Sequence, residues 1–208
     1  MRILFFGDSI TDMSRNREAD FAFNSYGYGY PLFVAGELHF YAPQQYEIIN
    51  RGIGGHRIVD LYARVKKDVW NLKPDVLSVL IGVNDVWHEL YGENGVDIRR
   101  FDKMYRMLIE DTKKELPDLK IIICEPFILK ESATEEKYEE FLQVKEYAKV
   151  VKKIAEDYNL PFLPLQDKFD EVTEKYGVKY YLPDGVHPSV AGAKLIANEW
   201  LQLFEKIK

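Results

Sequence analysis

An α/β fold is predicted for this chain, a three-layer α/β/α sandwich about a five-stranded parallel sheet, and three observations predict it. Short apolar runs recur five times, at residues 2–6, 46–50, 75–81, 119–124 and 160–165. Longer stretches with apolar residues at helical spacing lie between them, so strands and helices alternate along the chain. The run at 75–81 (Val76, Leu77, Ser78, Val79, Leu80, Ile81) is nearly continuous in apolar residues, as expected of a strand covered by helices on both faces.

Taken in order, residues 2–6 form a first strand that Gly7-Asp8-Ser9 breaks abruptly. Residues 13–30 read as a long loop ending in Phe21-Ala22-Phe23-Asn24-Ser25-Tyr26-Gly27-Tyr28-Gly29-Tyr30, too aromatic to be disordered. Its rings suit a sugar-binding wall, an oligomer contact or a lid on the core, and residue types alone leave all three open. Pro31 opens a helix through Leu32, Phe33, Ala35 and Leu38. The second strand, 46–50, leads into Asn50-Arg51-Gly52-Ile53-Gly54-Gly55-His56, and a helix at 58–72 stops before Pro74. The third strand ends in Gly82-Val83-Asn84-Asp85-Val86-Trp87-His88, read as a loop, before a helix at 97–116. After the fourth strand comes a long helix at 134–158. Pro161 and Pro164 mark the fifth strand as a sheet edge. A short helix at 166–176 and a last helix at 190–207 complete the chain. Right-handed crossovers place helices on both faces, and the expected strand order is the flavodoxin-like 2-1-3-4-5.

At 208 residues, 47% hydrophobic and 30% charged, residues 1–208 read as one globular domain. The net charge of −6 argues against a nucleic-acid partner. The basic residues Arg99, Arg100, Lys103 and Arg106 are interrupted by Phe101, Asp102 and Tyr105, as on a solvated helix face. Cys124 is the only cysteine, so no intrachain disulfide forms, which fits the cytoplasm. The apolar run after Met1-Arg2 is too short for a signal-peptide core, and no run approaches the roughly 20 residues that span a membrane. Fourteen tyrosines and 12 phenylalanines, several in the 21–30 loop, suggest a homo-oligomer.

Parallel strands all point one way, so the segments that follow them share one edge of the sheet. Ser9 follows the first strand, Gly54 and Gly55 the second, Asn84 the third, and Asp184 and His187 come after the fifth. Together they supply the parts of an acyl-transfer site. A serine hydroxyl needs an imidazole to take its proton. Among His39, His56, His88 and His187, the last is the best candidate, because Asp184 three residues earlier can hold its Nδ1–H and fix the tautomer. The backbone N–H groups of Ser9 and Gly55 and the Asn84 amide can serve as oxyanion donors. Trp87 is expected to wall the acyl pocket, and Asp8 and Tyr30 are expected to touch substrate. A metal hydrolase using Asp8, His56, His88 and Glu89 lacks a spaced ligand motif, and no cofactor is expected.

Gly7-Asp8-Ser9-Ile10, Asn50-Arg51-Gly52-Ile53-Gly54-Gly55, Gly82-Val83-Asn84-Asp85 and Asp184-Gly185-Val186-His187 resemble the four sequence blocks of the SGNH, or GDSL-like, hydrolases. The resemblance implies Ser9 as nucleophile, Gly55 and Asn84 in the oxyanion hole, and Asp184 and His187 completing the triad. Gly27-Tyr28-Gly29-Tyr30, Val86-Trp87 and His187-Pro188-Ser189-Val190-Ala191-Gly192 are most similar to intracellular single-domain acetylxylan esterases. These remove acetyl groups from xylo-oligosaccharides, so the implied substrate is an acylated sugar. Lysophospholipases and thioesterases of the same family are the enzymatic alternative, and a flavodoxin-like phosphate-binding module the non-enzymatic one.

Overall fold

Five strands line up in parallel in the order β2-β1-β3-β4-β5, the flavodoxin-like order expected of the fold class, in a computed structural model that describes residues 1–18 and 24–208. The elements run β1 (Arg2–Gly7), α1 (Ser9–Asp12), α2 (Tyr30–Tyr41), β2 (Glu47–Gly52), α3 (Ile58–Asp68), β3 (Val76–Leu80), α4 (Val83–Gly92), α5 (Ile98–Glu115) and β4 (Lys120–Cys124). They continue with α6 (Tyr138–Phe141), α7 (Gln143–Asp157), β5 (Phe162–Leu163), α8 (Gln166–Tyr176), α9 (Val178–Tyr181) and α10 (Val190–Glu205). Helices α2 and α10 pack together, while α3, α5 and α7 form the opposing layer.

Register fixes where the strands stop. Gly7 pairs with Gly52 on one side and with Leu80 on the other, and Leu80 pairs with Cys124. The carboxyl ends of β2, β1, β3 and β4 are therefore level. β1 is buried from Ile3 onward, and its Phe5 meets Tyr30 edge-on at 5.3 Å and Trp200 at 5.1 Å. Burying rings of this size contributes about 1.5–3 kcal/mol each. The indole N–H of Trp200 donates to Ser78 Oγ at 3.0 Å, so the polar groups in this layer are paired as well. Cys124 is fully buried, and burial pushes its thiol up to about 12.

Several boundaries differ from the sequence pattern. β5 is two residues long, because Pro161 and Pro164 on either side cannot donate to a ladder. The helix expected at 58–72 ends at Asp68 and tightens into a 3₁₀ turn at Trp70–Leu72. The helix expected at 134–158 begins at Tyr138 and is divided at Leu142, because Thr134 instead closes a turn, donating to Leu129 O and accepting from Glu131 N–H. Of the aromatic loop, Phe21 and Phe23 lie outside the described residues, Tyr26 is half-buried and Tyr28 is exposed.

Candidate active site

The chain leaves β1 through Asp8, whose Oδ1 accepts the Ile10 N–H at 2.9 Å and caps the single turn of α1. Ser9 is the first residue of that turn, at the carboxyl edge of the sheet. The segment after β2 turns at Gly55, where φ is +81°, a conformation that side chains rarely adopt. After β3, α4 begins at Val83, so Asn84 sits in the first turn of a helix and not in the loop read from the sequence. Its Nδ2 donates one hydrogen to His56 O at 3.1 Å, which orients the amide and leaves the second hydrogen for another acceptor. Asp184 is held by its own turn, its Oδ1 accepting the N–H groups of Val186 at 2.9 Å and His187 at 2.7 Å.

These segments meet. Ser9 Oγ lies 2.8 Å from His187 Nε2, and His187 Nδ1 lies 2.6 Å from Asp184 Oδ2. With the proton on Nδ1 donated to Asp184, Nε2 presents a lone pair to the serine hydroxyl. The hydrogen bond to Asp184 raises the His187 pKa above the ordinary imidazole value, against the opposing effect of burial. Burial pushes the Asp184 carboxyl up, but the bond to His187 and the two backbone donors outweigh it and hold it below the usual range. Asp8, buried beside the pair, is pushed up to about 7 by desolvation.

A cavity of about 230 Å³ is lined by Ser9, Gly55, Val83, Asn84, Trp87, Val186, His187 and Asp8. Among the described residues, neither the Ser9 nor the Gly55 backbone N–H is committed to a protein acceptor. These two N–H groups and the second hydrogen of the Asn84 amide are the uncommitted donors carried by residues that line the cavity. Trp87, one helical turn after Asn84 on α4, closes the cavity and packs at 5.0 Å on Phe141. On the other side of Ser9 and His187, a wider cavity of about 540 Å³ is lined by Asp12, Met13, Ser14, Arg15, Arg17 and Gly54.

Two expected substrate contacts need correction. Tyr30 is fully buried at the start of α2, its ring against Phe5 and its hydroxyl 3.2 Å from Thr11 Oγ1, so it belongs to the core and cannot touch substrate. Asp8 reaches the cavity wall but is 1% exposed, and its carboxylate is turned to Ile10, so it supports the serine turn. Sequence reasoning also missed Asp12, Arg15 and Arg17. The available signal was their position one to two turns beyond Ser9. Of the remaining histidines, His39 faces the Tyr26 ring, His56 Nδ1 accepts from Arg64 Nε at 3.1 Å while its carbonyl takes the Asn84 amide, and His88 Nε2 lies 3.9 Å from where a Cβ on Gly55 would stand. Among the described residues, no group of three or more His, Cys, Asp or Glu side chains is placed to hold a metal ion.

Residues 5–195 match the model of the GDSL-like lipase/acylhydrolase family. The chain is 36% identical over 207 residues to an acetylxylan esterase of Geobacillus stearothermophilus, covering 97% of this chain and 92% of that protein. The crystal structure of an acetylxylan esterase from the same organism superposes with a TM-score of 0.84 at 34% identity, covering 97% and 93% of the two chains. A putative GDSL-like lipase from Parabacteroides merdae superposes with a TM-score of 0.93 at 38% identity, covering 98% and 95%.

Proposed function

The chain belongs to the GDSL-like lipase/acylhydrolase family and is a carboxylic ester hydrolase; we propose that Ser9 is its nucleophile and acetylated carbohydrates, xylo-oligosaccharides among them, its substrates. The observation that carries this reading is the unbroken chain from Ser9 Oγ through the His187 ring to Asp184, at 2.8 Å and 2.6 Å. Ser9 Oγ attacks the ester carbonyl as its proton passes to His187 Nε2. Asp184 stabilises the imidazolium so formed. The carbonyl oxygen gains negative charge facing the N–H groups of Ser9 and Gly55 and the Asn84 amide. Collapse of this intermediate expels the sugar hydroxyl, protonated by His187, and leaves an acetyl group on Ser9. Water, deprotonated by the same imidazole, then releases acetate.

The small cavity bordered by Trp87, Val83 and Val186 suits a short acyl group, and the wider polar cavity beyond His187 suits the alcohol. Assaying acetylated xylo-oligosaccharides beside p-nitrophenyl esters of rising chain length tests the reading. We expect deacetylation of the sugars and a preference for acetyl. Equal kcat/KM for acetyl and octanoyl esters would instead favour a lipid or thioester hydrolase.

The same reading includes a homo-oligomer in the cytoplasm. Tyr28, Phe40 and Tyr41 are 72%, 75% and 74% exposed, with Phe40 and Tyr41 in edge-on contact at 4.9 Å, and exposed rings of this kind are what association covers. The lone, buried Cys124 has no use for an oxidising compartment. Recovery of the protein with the membrane or secreted fraction of its cell would overturn the location.

A further inference from the structure

We propose that Asp12 is a positioning residue that holds the oxyanion donor at Gly55 in register with Ser9, an inference that rests on the serine-esterase reading above. Asp12 closes the turn that Ser9 opens, with its N–H donating to Asp8 O at 2.8 Å. Its carboxylate points across to the segment after β2, where Oδ2 accepts the Gly54 N–H at 3.0 Å. Gly54 and Gly55 are successive glycines, whose backbone is otherwise free to take many orientations. A charge-assisted bond to Gly54 N–H fixes the Ile53–Gly54 peptide plane, one residue before the Gly54–Gly55 plane that carries the Gly55 N–H, and so sets the position from which that second plane starts. The two segments touch as well as bond. A Cβ on Gly52 would lie 2.3 Å from the Asp12 nitrogen, and one on Gly54 would lie 3.7 Å from Ser9 Cβ.

Asp12 is only 5% exposed, and a carboxylate so buried requires compensation. Arg17 pairs with Oδ2, and Arg15 lies 3.9 Å from Oδ1 while its Nε donates to Gly52 O at 2.8 Å. Asp12 and Arg15 therefore grip the backbone on both sides of Ile53, one through an N–H and the other through a carbonyl. The turn that carries Ser9 and the loop that carries Gly55, 46 residues apart in sequence, are thus tied together by side-chain bonds. Preorganised donors act on the transition state and not on the bound ester, so their holder acts on kcat.

Kinetics of Asp12→Ala and Asp12→Asn beside Ser9→Ala test this. An oxyanion donor is worth about 10²–10³ in kcat, so misplacing one should cost Asp12→Ala about 10- to 100-fold in kcat with KM within about twofold. Asp12→Asn keeps an oxygen for the Gly54 N–H and should recover most of that loss. A boronic acid that adds to Ser9 Oγ as a tetrahedral anion should lose affinity for each variant in step with kcat/KM. If Asp12→Ala does not fold, Asp12→Asn decides by whether its boronate affinity follows its kcat/KM. Unchanged kcat in Asp12→Ala, an Asp12→Asn as impaired as Asp12→Ala, or boronate affinity that does not follow kcat/KM would overturn the proposal. Turnover surviving in Ser9→Ala would overturn the esterase reading itself, whatever the Asp12 variants do.

Discussion

His187 can take the proton of Ser9 only while its ring is neutral, so the direction of its pKa shift sets the direction of the pH profile. The group is raised above 6.5 by Asp184, so it stays protonated, and inactive as a base, to a higher pH than free imidazole. We predict that kcat/KM rises with pH along one ascending limb whose midpoint lies above 6.5; a midpoint below it would contradict the Asp184 partnership. Asp8 also favours the imidazolium, so Asp8→Asn, which retains the cap on Ile10, should move that limb to lower pH in the same titration. Asp184→Asn should lower kcat by roughly 10³–10⁴, because the amide favours the wrong tautomer. Asn84→Ala should cost about 10²–10³ in kcat with little change in KM, since an oxyanion donor serves the transition state. Steady-state kinetics showing a KM effect alone would make Asn84 a ground-state contact.

Among the elements, α4 carries two of the side chains that line the small cavity, Asn84 and, one turn later, Trp87. If Trp87 limits acyl length, acetyl esters should be preferred and Trp87→Ala should extend the range, each added methylene being worth about 1–3 kcal/mol of discrimination. An unchanged chain-length profile in that variant would make the indole a packing residue on Phe141. This helix was not legible in the sequence. It starts directly after Gly82 with no capping side chain, so residues 82–88 resemble a turn. The meeting of the segments around one cavity was legible, because it follows from parallel strands sharing one carboxyl edge, whereas the strand order came from the fold class and from no residue of the chain. The place of Tyr30 was not. A tyrosine beside glycines suits a binding wall or a core equally well, and only its packing against Phe5 and Thr11 decides between them. The bond from Asp12 to the second segment was not legible for a related reason, since its partner Gly54 lies 42 residues away and no local pattern announces the contact.

At the scale of the molecule, a level sheet edge brings Ser9, Asn84 and His187 to one cavity, and the exposed rings of Tyr28, Phe40 and Tyr41 would leave water only if copies associate. Sedimentation at micromolar concentration should therefore find an oligomer, and a stable monomer would refute that part of the account. The central claim is that an acetyl group passes through Ser9, and Ser9→Ala tests it most directly. With circular dichroism and melting temperature unchanged, its kcat/KM on an acetylated xylo-oligosaccharide should fall by about 10⁴–10⁶, the scale of losing one member of a triad. A folded Ser9→Ala protein that still deacetylates the sugar at a rate within tenfold of the parent would contradict the account.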